Sequence, residues 1–273
     1  MRAITIGYHD VLDEQRSAQK VMSPPLTVYT LDQRHFGDHL LAIERRQPLI
    51  RTIQRFCTWA AEVPVFITFD DGAVGAYTCS ADALEQHHWR GHFFITTDWI
   101  GRRGYMDRKQ IRELHERGHV IGSHSCSHPE RMSYLSADEL VREWKDSCAI
   151  LNDILGTSVK VASVPGGYYS RKVALAAAAA GIEVLFNSEP TSATALAEGC
   201  LVLGRYCIQR YTPPEVSGAI AAGHLWPRWQ QSALWETKKI FKTLAGESYL
   251  TIRHWLLSRL TSEYQSAESS TRQ

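Results

Sequence analysis

The chain has 273 residues, which at roughly 150 residues per domain leaves room for one large domain or two small ones. Apolar residues make up 44%, aromatic residues 10% and charged residues 22%, a balance that excludes wholesale disorder. The 30 Lys and Arg against 29 Asp and Glu leave a net charge of +1, which excludes nucleic acid as the default partner. No apolar run reaches the roughly 18 residues of a membrane span. Val173 to Ile182 is mostly alanine and stops at Glu183. The stretch Met1 to Asp10 lacks the apolar run of a secretory leader, so a cytoplasmic location is expected. Cys57, Cys79, Cys126, Cys148, Cys200 and Cys207 form no Cys-x-x-Cys, against a zinc finger or thioredoxin-type site and in favour of small buried thiols.

Along the chain, short apolar runs alternate with helical periodicity. Strands are expected over Ala3–Tyr8, Val63–Phe69, Gly91–Thr96, His119–Gly122, Ser158–Ser163, Ile182–Phe186 and Leu201–Ile208. Helices are expected near 34–62, 75–88, 107–117, 136–155, 170–180, 213–222 and 230–262. The clearest is 136–155, where Ser136 and Glu139 form a capping box before a stripe of Leu140, Trp144, Cys148, Leu151 and Leu155. About seven strands, each followed by a helix, read as βα units that can close into a barrel. In such barrels the chemistry collects where the strands end.

Two strand ends carry chemistry. Phe66-Ile-Thr-Phe-Asp-Asp-Gly72 ends an apolar strand in adjacent carboxylates, Asp70 and Asp71. Neighbouring carboxylates repel, and a cation resolves the conflict if one binds it and the other stays free as a base. The same residues also fit a plain Asp-Gly turn. His119-Val-Ile-Gly-Ser-His-Ser-Cys-Ser-His-Pro129 places His124 and His128 four apart after a strand, and Pro129 disfavours helical geometry at His128. A metal-binding loop fits this better than a helix. Two His and one Asp leave open positions for water and substrate, as catalytic zinc sites require.

These segments resemble the polysaccharide deacetylases, the NodB-homology family or carbohydrate esterase family 4. Thr68-Phe69-Asp70-Asp71 matches the family's first motif, His124-Ser125-Cys126-Ser127-His128 its second, and Tyr8-His9 the close of its opening strand. The resemblance, over roughly residues 3–222, implies a distorted (β/α) barrel of about seven parallel strands. It implies that Asp71, His124 and His128 bind a divalent metal, zinc first, with cobalt, nickel or manganese as alternatives. It implies Asp70 as the catalytic base and Ser125 as a residue that steadies the loop at the substrate site. The later motifs depart from the family's pattern. Ser163-Val-Pro-Gly-Gly167 has Ser163 where an arginine is usual, and Phe186-Asn-Ser-Glu-Pro190 lacks the usual Asp and Trp, so the arginine–aspartate pair that tunes the base is expected to be missing. Leu201-Val-Leu-Gly-Arg205 puts Arg205 where the family has its acid, a histidine. Arginine cannot give up its proton. Arg205 is therefore expected in the cleft, stabilising an oxyanion or holding a phosphate or carboxylate, with His9 as the candidate acid and His224 a weaker one.

Tyr168 and Gly167 of Gly166-Gly-Tyr-Tyr169 are candidates for sugar binding, and Trp99, Trp226, Trp229 and Trp235 are further platforms or simple packing. The C-terminal stretch is apolar on one face and basic on the other. It fits peripheral membrane contact, or a helix across the open bottom of the barrel. The expected organisation is a barrel over 1–225, a helical extension over 226–262 and a polar tail over 263–273. The expected function is metal-dependent hydrolysis of the acetyl group of an N-acetylated sugar, in a polysaccharide or a lipid-linked precursor. The alternatives are an esterase or amidase of another small molecule, or a catalytically silent carbohydrate-binding barrel.

Overall fold

A computed structural model describes residues 1–13, 28–54, 58 and 62–245, with side chains as far as 237. Cys57, the polar tail and the helical pattern past Ala245 lie outside these residues. In chain order the elements are β1 (Ile4–Tyr8), β2 (Asp10–Leu12), β3 (Thr30–Asp32), α1 (Gln33–Glu44), β4 (Val65–Phe69) and α2 (Asp82–Gln86), the last entered through a wide turn over Ala76–Ala81. They continue with β5 (His92–Ile95), α3 (Arg108–Glu116), β6 (Val120–Ser123), α4 (Ala137–Leu155), β7 (Val161–Ser163), α5 (Arg171–Ala179) and β8 (Val184–Phe186). The chain then forms β9 (Thr194–Ala197), β10 (Cys200–Leu203), β11 (Tyr206–Cys207), α6 (Pro214–Ala221) and α7 (Leu225–Ala245).

The main sheet runs β11-β1-β4-β5-β6-β7-β8-β10-β9, parallel throughout except for β9, which lies antiparallel to β10. The segment 200–207 pairs with β8 at its start and with β1 at its end, and so carries the sheet round into a distorted barrel. Ala3 N–H donates to the Ser192 carbonyl at 2.9 Å across the same seam.

Side chains alternate across a strand, and that period sorts the interior. Ile4, Ile6 and Tyr8 of β1, with Val65, Ile67 and Phe69 of β4, face the surrounding helices. Ala3, Phe66, Phe94, Val120, Val161, Val184, Phe186, Leu201 and Leu203 fill the barrel. One or two steps further along the same inward-facing rows come Thr68 and Asp70, His124, Ser163 and Arg205. A polar layer thus rests on an apolar one at the strands' C-terminal ends. The opposite mouth is plugged by Ile53, whose backbone N–H donates to buried His92 Nε2 at 3.0 Å. His92 Nδ1 in turn donates to the Ile67 carbonyl at 3.1 Å.

Three expectations need correction. The helix expected over 34–62 ends at Glu44, because Gln47 takes a left-handed φ of 50° and Pro48 follows. β2, β3 and β9 were not expected. The C-terminal helix does not cross the barrel's bottom. Its Arg228 is buried against Tyr206, Gly223 and Ser192 at the seam, and Ser232 Oγ donates to the Pro190 carbonyl at 2.7 Å nearer the rim. The capping box of α4 forms with both arms present. No helix among the described residues is long and apolar enough to cross a membrane.

Candidate metal and catalytic centre

β4 ends at Phe69, and the next two residues diverge. Asp70 points into the barrel mouth. Asp71 adopts φ 72°, a left-handed conformation that costs a non-glycine residue about 1–3 kcal/mol, and turns its carboxylate toward the loop after β6. That loop is bent by Ser125 (φ 64°) and His128 (φ 59°). Its bends are held from within: Ser123 Oγ accepts from Ser125 N–H at 3.1 Å, and Ser125 Oγ from His128 N–H at 3.0 Å. From α4, Glu143 accepts from the Cys126 and Ser127 N–H groups, both at 2.9 Å. Ser125 is fully buried inside its own loop and braces His128.

The bends bring three ligand atoms together. Asp71 Oδ1 lies 3.3 Å from His124 Nε2 and 3.4 Å from His128 Nε2. All three atoms lie within 4.8 Å of one another. His124 Nδ1 is 3.0 Å from the Ser163 carbonyl, which can only accept. When neutral, the ring carries its proton on Nδ1 and aims the Nε2 lone pair at a carboxylate oxygen. That arrangement is repulsive without a cation between them and is the usual orientation of a metal-bound histidine. The residues present thus fit a divalent ion. Burial would raise the Asp71 pKa, but the two histidines hold it well below the ordinary range. The His128 ring stacks on Trp99 with centroids 4.8 Å apart, which accounts for that tryptophan as a support for the ligand.

Asp70 sits under this triad and is gripped by a guanidinium. Arg205 Nη1 and Nη2 donate to its two oxygens at 2.6 and 2.8 Å, and Ser163 Oγ donates at 3.0 Å. Arg205 Nε donates to the Asn187 carbonyl at 2.9 Å, and the side chain is only 1% exposed. Burial alone would raise the Asp70 pKa, but Arg205, with help from His124, brings it down to about 2. Of the roles expected for Arg205, these contacts are those of a carboxylate holder: its fork is spent on Asp70. The expected loss of an arginine partner for the base is corrected. The guanidinium arrives from the end of β10 instead of from the segment after β7.

His9 belongs to the same neighbourhood. Its ring stacks on Tyr29 at 4.6 Å, and its buried Nδ1 has no hydrogen-bond partner. Burial pushes its pKa below the ordinary histidine value against the opposite pull of Asp71 and Asp70. Gly166 and Gly167 take left-handed φ values of 63° and 66°. A Cβ on Gly167 would lie 3.0 Å from the Trp235 ring, so this loop is packed under α7. Tyr168 is half-buried and meets the Tyr134 ring edge-on at 6.4 Å. Trp226 and Trp229 stack on each other at 5.4 Å on the exposed start of α7. His224 follows α6 and makes none of the centre's contacts given above. Ser163 and Glu143 were missed as site residues. Ser163 looked like the loss of an arginine, and Glu143 read as one more polar position beside the Trp144 stripe.

Residues 60–185, just under half of the chain, match the family model described as polysaccharide deacetylase. The chain is similar to the peptidoglycan-N-acetylmuramic acid deacetylase PdaA of Bacillus subtilis, 33% identical over 84 residues, which cover 30% of each chain. It is similar to a chitooligosaccharide deacetylase of Sinorhizobium fredii, 30% identical over 134 residues, or 49% of this chain and 60% of that one. The chain therefore spans less than two thirds of the length of these curated relatives. Among solved structures, the Streptococcus pyogenes deacetylase PplD in complex with acetate superposes with a TM-score of 0.65 at 21% identity, over 79% of this chain and 96% of that one. IcaB from Ammonifex degensii superposes with a TM-score of 0.63 at 19% identity, over 81% and 97%. At such identities the likeness is one of fold.

Proposed function

We propose that the chain, whose residues 60–185 match the polysaccharide deacetylase family model, hydrolyses the acetyl group of an N-acetylated sugar in a polysaccharide or its precursor. The observation that carries this is the pairing of an oriented, ionised Asp70 with the Asp71, His124 and His128 triad at one barrel mouth. A divalent ion held by that triad, zinc first, would polarise the acetyl carbonyl and acidify the attacking water. Asp70 takes the water's proton. Arg205 and Ser163 fix the direction of its lone pairs. A carboxyl with so low a pKa is a weak base but, once protonated, a strong acid, so Asp70 can pass the same proton to the departing amine. His9, whose pKa burial lowers, is a nearby uncharged ring in this scheme and not the store of that proton.

The test is acetate release from N-acetylated chitooligosaccharides and from peptidoglycan fragments, with zinc or cobalt supplied. Asp70→Asn should retain metal and lose activity by roughly 10²–10⁴-fold, the usual worth of a general base. Full activity in that variant would sink the scheme. His128→Ala should lose this centre's equivalent of metal together with activity, and undiminished metal content would remove the triad from the proposal. One observation favours a second reading, hydrolysis of an acetate ester. Arg205 holds the strand end where the family places its acid, and an alkoxide needs less help to leave than an amine. Acetate-ester sugars cleaved far faster than matched acetamides would decide for it.

A further inference from the structure

A second group of metal-ligand atoms lies outside that centre, where α1 meets the loop leading into α6. His35 and His39 stand four residues apart on α1, the spacing that puts two side chains on one helix face. Their Nε2 atoms are 3.2 Å apart. Both face the Thr212 backbone carbonyl, His39 at 3.0 Å and His35 at 3.1 Å. The carbonyl has no proton to give. If both rings are protonated on Nε2, two like N–H dipoles crowd one oxygen from directions closer together than its lone pairs. If only one is, its single N–H is shared between that oxygen and the other ring's lone pair, which faces the oxygen as well. A cation among the three atoms satisfies all three lone pairs at once. Zinc–nitrogen bonds of about 2.0–2.1 Å at a tetrahedral angle place two nitrogens about 3.3 Å apart, close to what is seen.

The surroundings agree. His39 Nδ1 is 2.6 Å from Ser217 Oγ, a second contact of the kind that orients a ligating ring. His39 is fully buried, whereas His35 and Thr212 are half-buried, which leaves a way in and room for water. Asp38 and Glu215 add negative charge near His39.

We propose that His35, His39 and the Thr212 carbonyl form a second divalent-metal site, suited to zinc, nickel or copper ions, that ties α1 to the loop before α6. Two imidazoles and a carbonyl favour these metals over magnesium or calcium.

The probe is Zn²⁺. The Asp71→Asn/His124→Ala double variant, stripped of metal and re-titrated, should still take up one equivalent and gain thermal stability. Adding His35→Ala should abolish that equivalent or weaken it at least tenfold. His35→Gln, which keeps the side chain's polarity, should do the same and covers the case in which the alanine variant folds poorly. No uptake by the double variant, or uptake unchanged by both His35 substitutions, overturns the proposal. Neither result touches the centre at Asp71, which is read from the wild-type chain's other equivalent.

Discussion

Asp70 and Arg205 are 135 residues apart in sequence and form the tightest charged pair of the barrel mouth. The motif residues Asp70, Asp71, His124 and His128 were legible because each set is contiguous and its spacing carries its chemistry. The Arg205 contact was not, because only the closing of the barrel brings β10's end over β4's. Arg205→Lys keeps the charge but loses the two-pronged grip. The expected result is a fall in kcat/KM of roughly ten- to hundredfold, the worth of about 1.4–2.7 kcal/mol. The acid limb of the pH profile should move to higher pH as Asp70 loses its restraint. An oxyanion donor would lower the rate without moving that limb, so the profile separates the two roles. Stability carries a related signature. Asp70's pKa is depressed in the folded state, from 3.8 to about 2. The stabilisation it lends is therefore complete above about pH 4 and is lost as pH falls through 2. Acid titration of unfolding midpoints should find that loss in the wild type and less of it in Arg205→Lys.

At the scale of elements, the apolar strands declared themselves because each is buried on both faces and reads as a continuous run. β2 and β3 have only three residues each and pair only with each other, too short for a period of two to register. β9 lies at an edge with Ala195 and Leu196 exposed, and it resembles a loop. The expected strand 201–208 is broken at Gly204 and Arg205, and the break is what closes the barrel. A Cβ on Gly204 would lie 2.4 Å from the Glu189 carbonyl and 2.6 Å from Thr191 Cγ2. Gly204→Ala should therefore destabilise by about 1–3 kcal/mol, as overpacking does. Gly37, inside α1, has nothing within 4 Å of the same atom. Gly37→Ala should instead stabilise by about 0.4–1 kcal/mol. Urea midpoints moving in opposite directions are the expected result. A neutral Gly204→Ala would show that the seam has slack.

The whole molecule depends on that seam, where the barrel's first and last segments meet and where α7 is fastened. Arg228 does the fastening. Its Nε donates to Tyr206 Oη at 2.8 Å, Nη1 to the Gly223 carbonyl at 3.1 Å and Nη2 to Ser192 Oγ at 2.5 Å. Its guanidinium also lies over the Tyr206 ring, 5.5 Å from the centroid. One buried side chain thus joins β11, the turn after α6 and the segment before β9. Arg228→Met keeps much of the stem and removes every donor, leaving the Gly223 carbonyl and Tyr206 Oη without this partner and Ser192 Oγ with the longer bonds from Arg2. Each such acceptor costs about 1–3 kcal/mol. The expected loss is about 3 kcal/mol after partial relaxation, read as a lower urea midpoint. The same variant tests what α7 contributes to the mouth. Trp235 lies against the Gly167 loop, two turns of helix beyond Arg228. If α7 serves only the fold, kcat of the folded fraction should survive Arg228→Met within a few-fold. A midpoint that does not move would mean that the sheet pairing alone holds the seam, and that α7 is attached to the barrel without supporting it.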